Sequence, residues 1–383
     1  MAGVTDWYID PLDGDDTNTG TSEADAWKTF GGVVDSWYDG DWSQSSSGFN
    51  TDRINIKSST TMTLTENNRI LNEMVSNSNY PLILRGYDTT PGDSGRAVID
   101  CNGYRFASDA MSYYSIENIE LTSSSNINAA VKLGLNCRVL NCVFHDFNIS
   151  STYSIIVSSR SKNSIINCQF YDCAGYCIKA TAPIVISSCY FENSGTKTIN
   201  RCIFFNTSYD SYDHIISDNI AYLDSSSDFV VAVTNNYAAL KITGNTVITS
   251  GSSSYAAYFY RGGACIIADN IFEGFDNAIY HIGVSNETAG MVANNYFYDN
   301  TTDIYNSDYY MTVENNYSEG SSGITKSGSV SYDNRLTYFQ PTGNALGNSV
   351  SGNKSIGAVQ LVSSGGGGGG LIKTSGMSGG FSA

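Results

Sequence analysis

Several common features are missing from this chain. No run of about 18 apolar residues occurs, so no membrane-spanning helix is expected. The opening "MAGVTDWYID" holds no apolar core, so no secretory signal is expected. Basic residues are few: 20 Lys and Arg stand against 37 Asp and Glu, a formal charge of −17. That balance excludes nucleic acid held through its phosphates and argues against an anionic membrane surface. No CxxC pair occurs among the cysteines at 101, 137, 142, 168, 173, 177, 189, 202 and 265, and metal-site spacing is absent. The three histidines, 145, 214 and 281, are not spaced as metal ligands, and no GxSxG, HExxH or P-loop motif is present.

What is abundant is Tyr, Asn, Ser, Thr and Gly, a composition that favours strands and turns over helix. A short phrase also recurs, as in "IIADNIFEGF" and "MVANNYFYDN". Aligned on the second residue of its central doublet, position zero holds Ile119, Cys142, Cys168, Cys189, Asn219, Asn245, Asn270, Asn295 and Asn316. The spacings are 23, 26, 21, 30, 26, 25, 25 and 21 residues. Three residues earlier every repeat has Ile or Val, from Ile116 to Val313. Two residues later seven of the nine have a large apolar side chain, such as Phe144, Phe170, Phe191, Phe272 and Phe297.

A period of 20–30 residues means stacked units, none able to bury its apolar face alone. The apolar stretches are short, β-branched and broken by Asn, Gly and Ser, so each unit reads as short strands joined by tight turns. The fold expected is all-β, a single-stranded parallel β-helix of about ten or eleven rungs, roughly 50 Å long at about 4.8 Å per rung. Position zero becomes a column along the axis. Asn is expected there because it tolerates the left-handed backbone of a turn and stacks by side-chain hydrogen bonds. Cys142, Cys168 and Cys189 are expected as buried free thiols in the same column. Cys202 follows Cys189 by only 13 residues, too few for a full coil, and is read as part of the long rung ending at Asn219.

The ends differ. Residues 1–50 read as a short strand, an acidic loop and, after Ser22, an amphipathic helix with Phe30, Val33, Val34 and Trp37 on one face, capping the open end. Residues 51–335 form the β-helix, 336–362 a last strand "SIGAVQLV" and cap, and 363–383 a glycine-rich tail. Leu371, Ile372, Met377 and Phe381 in that tail are candidates for docking onto a second copy or another protein.

"YIDPLDGDDTNTGTSEADAWKTF", "PLILRGY", "AVIDCNG" and the Asn-turn repeats together resemble right-handed parallel β-helix proteins of the pectate-lyase-like superfamily, over about residues 6–360. The tail ending "GMSGGF" is similar to C-termini of bacteriophage virion proteins. The superfamily fold hosts lyases, hydrolases, esterases, tailspikes and inert virion parts, so the resemblance implies fold more than activity. Were the chain like the superfamily's polysaccharide lyases, Asp-bound Ca²⁺ and an Arg or Lys base on one sheet face would be implied.

Candidates for such chemistry are Asp146 and Asp172, four residues after position zero on adjacent rungs, a spacing of about 5 Å that suits a retaining glycosidase pair. Arg160 is the basic candidate. Polar residues closing a strand are the plainer explanation of both carboxylates. Glu192 and Glu273 are read as outward and solvated, and His145 and Asp146 as facing opposite ways. Asp13, Asp15 and Asp16 form an acidic loop without EF-hand placement; a turn covering the cap is expected, with Ca²⁺ as the alternative. Tyr113, Tyr114, Tyr258, Tyr260, Tyr309 and Tyr310 are candidates for stacking on sugar rings. The favoured reading is a virion structural protein (spike, fibre or capsid decoration), made in the host cytoplasm, without cofactor, self-associating through its tail and contacting glycan. A polysaccharide lyase or glycoside hydrolase is the alternative, and an extracellular bacterial surface protein a third.

Overall fold

The computed structural model describes residues 5–32, 52–67, 81–109, 112–123, 125–149, 153–193, 197–207, 213–224, 226–234, 239–260, 265–282, 290–306, 312–319, 324–326 and 339–341. They fall into two compact units, one within Met1–Val185 with Asn193–Phe204, the other within Ile186–Glu192 with Phe205–Ala383. Each is a parallel β-solenoid whose coils carry up to three strands.

In the first unit the opening strands of successive coils are Thr5–Ile9, Asp52–Lys57, Leu82–Tyr87, Tyr114–Glu117, Arg138–Leu140 and Asn163–Ile166. Their register aligns Ile54, Leu84, Ile116, Val139 and Ile165, all fully buried. The middle strands align Ile99, Leu121, Phe144 and Phe170. The Phe144 and Phe170 rings stack 4.9 Å apart, nearly parallel. The third strands, Val131–Leu133, Ser154–Ser158 and Gly175–Ala180, align Val131, Ile156 and Ile178. The β-branched residue before the doublet and the aromatic after it are therefore the inward columns of two different sheets, because in-register parallel strands superpose equivalent side chains.

The second unit repeats the plan. Ile216, Ile242, Ile267, Val292 and Val313 align in one sheet. Phe191, Ala221, Val247, Phe272 and Phe297 align in the next. Here Thr246–Tyr260 and Ile271–Ile282 run unbroken from the middle into the third position. An antiparallel pair, Ile324–Lys326 with Phe339–Pro341, lies apart from the coils.

The corners are made by two-residue devices. At the doublet the first residue takes the left-handed conformation: Asn118, Asn141, Asn167, Ser188, Asp218, Gly244, Asp269, Asn294 and Asn315 all have φ between 52° and 69°. Position zero does not. The left-handed requirement thus falls one residue earlier than expected, and position zero is freed to point inward. The middle-to-third corner uses the same device five residues on, with Asp146, Asp172, Gly274 and Asp299 left-handed. Gly274 is needed as glycine, since a Cβ there would lie 2.7 Å from the Thr249 carbonyl oxygen. A third set, Tyr113, Asn136 and Lys162, turns the chain back into the opening strand.

Position zero holds the ladder. Asn219 Nδ2 donates to Asn245 Oδ1 at 2.9 Å, Asn245 to Asn270 at 2.9 Å, Asn270 to Asn295 at 2.9 Å and Asn295 to Asn316 at 3.0 Å. Each amide also donates to the carbonyl of the aliphatic residue one coil earlier, as Asn245 does to Ile216 at 3.0 Å. Cys142 and Cys168 use their thiols the same way, on the carbonyls of Ile116 and Val139 at 3.6 and 3.5 Å. All the cysteines are buried free thiols.

Two expectations change. The parallel β-solenoid is present as expected, with about seven turns among the described residues, somewhat fewer than the ten or eleven rungs expected. After Ser22 comes only a single 3-10 turn, Glu23–Asp25, ended by extended Ala26. The reason is Trp27, which forms a β-bridge with Ile9, stacks on Trp7 at 5.5 Å and is fully buried. Helical backbone resumes at residues 30–32, where Phe30 packs edge-on to Phe106. Val33, Val34, Trp37, the strand "SIGAVQLV" and the docking candidates Leu371, Ile372, Met377 and Phe381 lie outside the described residues.

Candidate functional sites

On the first unit, the outer face of the middle strands carries a cluster around His145. His145 sits in register with Tyr171 on the next coil, and their rings stack 5.1 Å apart. Its Nε2 meets Glu120 Oε1 at 2.9 Å and its Nδ1 meets Asp146 Oδ2 at 2.7 Å. The second contact corrects the expectation that adjacent residues diverge. Asp146 has φ 58° and has left the strand, so the alternation of side chains no longer applies to it.

Burial opposes the charge on His145, but hydrogen bonds to Glu120 and Asp146 outweigh it and raise the imidazole pKa above its ordinary value. The hydrogen bond from His145 holds the Glu120 carboxyl below its usual range. Burial pushes the Tyr171 phenol up to about 12, with the negative charges of Glu120 and Asp146 adding to it. Lys197 Nζ donates to the Asp146 carbonyl at 2.6 Å and stands 3.9 Å from Asp146 Oδ1. Its backbone N–H donates to Asp172 Oδ1 at 3.3 Å. Glu120, Tyr171 and Lys197 had no sequence signal, because loop lengths decide what lies beside His145.

The structure places Asp146 and Asp172 as equivalent left-handed corner residues of adjacent coils. A retaining pair stands about 5 Å apart with the sugar between. Arg160 is not brought to them: the five-residue strand Ser154–Ser158 separates the two corners, about 16 Å of extended chain. Arg160 is exposed, and its carbonyl accepts the Asn163 side chain at 2.9 Å. Glu192, read as solvated, is only 4% exposed.

The acidic loop spends its oxygens locally. Asp15 accepts Thr17 N–H and hydroxyl at 2.9 and 2.8 Å. Asp16 accepts the N–H groups of Lys28 and Thr29 at 2.9 and 2.7 Å and the Thr29 hydroxyl at 2.7 Å. Asp13 donates its own N–H to Asp10. Among the described residues no group of three or more His, Cys, Asp and Glu is placed to hold a metal ion.

The tyrosines divide. Tyr114 is 1% exposed and donates its hydroxyl to the Lys132 carbonyl at 2.8 Å. It is the inward member of a corner device whose left-handed member is Tyr113, so it presents no ring to a ligand. Tyr309 and Tyr310 lie outside the described residues. Tyr258 belongs to an outward column in the second unit, in register with Tyr280 and Tyr305. The rings stack at 5.5 and 4.6 Å, within 12° of parallel. The faces of Tyr280 are taken by its neighbours, and Tyr305 at the end of the described column is 45% exposed. Tyr260 is 38% exposed at the end of its strand. Tyr280 and Tyr305 escaped the sequence reading because they follow the doublet by ten residues, beyond the repeated phrase.

No family model and no curated protein matches the sequence. Among solved structures, pectate lyase Pel9A is similar with a TM-score of 0.54 and 14% identity over 92% of each chain. A GH136 lacto-N-biosidase from Eubacterium ramulus gives 0.47 and 11%, over 82% of this chain and 68% of that one. A tailspike protein of E. coli bacteriophage HK620 gives 0.37 and 14%, over 70% and 60%. At these identities the likeness concerns architecture: the chain has the pectate-lyase-like parallel β-helix fold.

Proposed function

We propose that this chain is a structural β-helix of a virion surface, a spike, fibre or capsid-decoration subunit, which contacts surface glycan without cutting it. The observation that carries this reading is how fully the candidate catalytic groups are consumed by structure. Asp146 and Asp172 turn corners, and they hold His145 and the Lys197 N–H respectively. Asp15 and Asp16 cap backbone N–H groups, and Arg160 stands a strand away. A general acid or base needs a free reach to a substrate proton. The stacked Asn and Phe columns stiffen the coils, and half-buried Tyr258 and Tyr280 with exposed Tyr305 and Tyr260 give amphipathic contact for sugars.

The test is incubation with purified bacterial surface polysaccharides, followed by both retention of the glycan and release of reducing or unsaturated ends. Retention without release is the expected result, weakened by Tyr305→Ala. Release of ends, abolished by His145→Gln or Asp172→Asn, would overturn the reading. It would favour the second one, a polysaccharide lyase or hydrolase working at the His145 cluster, where an imidazole, two carboxyls and Lys197 converge. Self-association is tested by the solution mass of residues 1–383 and 1–362; a monomer in both would remove the tail from the proposal.

A further inference from the structure

In a chain of net charge −17, the outer face of the third strands in the first unit runs against the balance. Lys132 and Lys179 both lie in register with Val157, one on the coil before and one on the coil after. They therefore stand on one face about 10 Å apart, at about 4.8 Å per strand. Among the described residues, neither has a carboxylate within 4.0 Å of its ammonium. The Lys179 ammonium lies 5.9 Å from the centre of the Phe204 ring. On the same ring rests the Arg201 guanidinium, 4.9 Å from Phe204 and 5.1 Å from Tyr176, with Nη1 donating to Tyr176 Oη at 3.1 Å. Two rings and a phenol oxygen thus restrain that guanidinium. Tyr153, 44% exposed, adjoins this face, its carbonyl accepting the Tyr176 N–H at 3.0 Å.

We infer that Lys132, Lys179 and Arg201, with Tyr153 beside them, form a binding face for an acidic saccharide, taken directly through its carboxylate or sulfate groups. A guanidinium held against two aromatic rings is preorganised for such a group, because less side-chain freedom is lost when it binds. Two lysines on strands about 10 Å apart suit charges spaced along a chain. An exposed phenol ring supplies the apolar contact that sugar rings take. Duplex DNA, with one charge per about 1.7 Å, would meet only three cations here and the repulsion of the rest of the chain. No metal ion is needed to bridge ligand and protein, since the cations are the protein's own. The inference holds whether or not the chain is a virion part, and it rests on residues other than those of the tyrosine column.

The experiment is calorimetry on the full chain in EDTA, with a sialic-acid hexamer, a heparin-derived hexasaccharide, the same sialic-acid hexamer with its carboxyls reduced, and hexaglutamate. Binding of at least one acidic saccharide is expected, with at least a tenfold loss for the reduced hexamer and a steep fall with added salt. The pair Lys132→Gln with Lys179→Gln should weaken it at least tenfold while leaving the thermal midpoint unchanged, as expected for half-exposed side chains. Arg201→Lys should weaken it too, keeping the charge but losing the flat fork. Binding of neither acidic saccharide, equal binding of the reduced hexamer, or an unchanged double variant would each overturn the inference. Hexaglutamate binding as tightly as the saccharides would overturn the saccharide assignment. Loss of neutral-glycan retention in Tyr305→Ala, with this binding intact, would separate the two faces.

Discussion

Asn270 donates both its backbone N–H and its side-chain amide to a single atom, Oδ1 of Asn295, at 3.1 and 2.9 Å. The same amide reaches the carbonyls of Ile242 and Ala268, and its own oxygen accepts the equivalent pair from Asn245. Every polar atom of a fully buried side chain is thereby used.

Asn270→Ala should therefore cost about 2–4 kcal/mol, since it leaves two donors of Asn245 and two carbonyls short of partners in a buried corner. Asn270→Cys should cost less. A thiol can donate to the two carbonyls, as Cys168 does to Val139 and Ile166, but it cannot accept from Asn245 as well as an amide oxygen does. Urea midpoints order the variants: wild type above Cys, Cys above Ala. An alanine variant as stable as wild type would show that the ladder adds nothing.

The left-handed residue before each ladder position gives a second contrast. Asp269 has φ 59°. Asp269→Gly should stay within about 0.5 kcal/mol of wild type, whereas Asp269→Val should lose about 1–2 kcal/mol, the cost of a β-branched residue in that region. Equal stability of the two variants would mean the corner relaxes out of the left-handed region.

How far the sequence speaks follows from this corner. The period, the aliphatic at minus three and the aromatic at plus two were legible because strand alternation turns sequence position directly into inside or outside. The left-handed residue was misplaced by one, since Asn suits both members of the doublet and only the backbone angle tells them apart. Asp146 was assigned away from His145 because alternation was carried into a corner where it ends. Tyr114 looked like half of a displayed pair, yet it is the inward member of the third corner. Lys132, Lys179 and Arg201 share a face despite separations of 47 and 22 residues, because the connections between middle and third strands vary in length and erase any period. For the same reason the surroundings of His145 had to come from coordinates.

The buried cysteines make a chemical prediction. Burial pushes the thiols of Cys173 and Cys265 up to about 12 and that of Cys137 up to about 11. The thiolate is the reactive form, and these groups are withdrawn from solvent as well. The native chain should leave a disulfide reagent such as Ellman's unreacted over the time in which a free thiol reacts fully, and should release nine equivalents in denaturant. Rapid native reaction of even one thiol would place it outside the core.

The histidines should act oppositely on stability as pH changes. His145 has a raised folded pKa, so the stabilisation from Glu120 and Asp146 is fully present below the ordinary value of about 6.5 and is lost as pH rises through the folded value. The stability gap between wild type and His145→Gln should be widest near pH 6 and should shrink by pH 9. His214 is buried, 4.4 Å from the Phe205 ring, and burial lowers its pKa to about 4. Its unfolded form takes up a proton first, so stability is lost as pH falls from about 6.5 toward about 4. The loss is on the order of 3 kcal/mol over that window, and His214→Gln should escape it. Ring-proton titration by NMR should show one midpoint above 6.5, absent in His145→Gln, and one below 5, absent in His214→Gln. A midpoint for His145 below 6.5 would mean the two carboxylates do not hold its proton, and the ion-paired cluster on the middle strands would have to be redrawn.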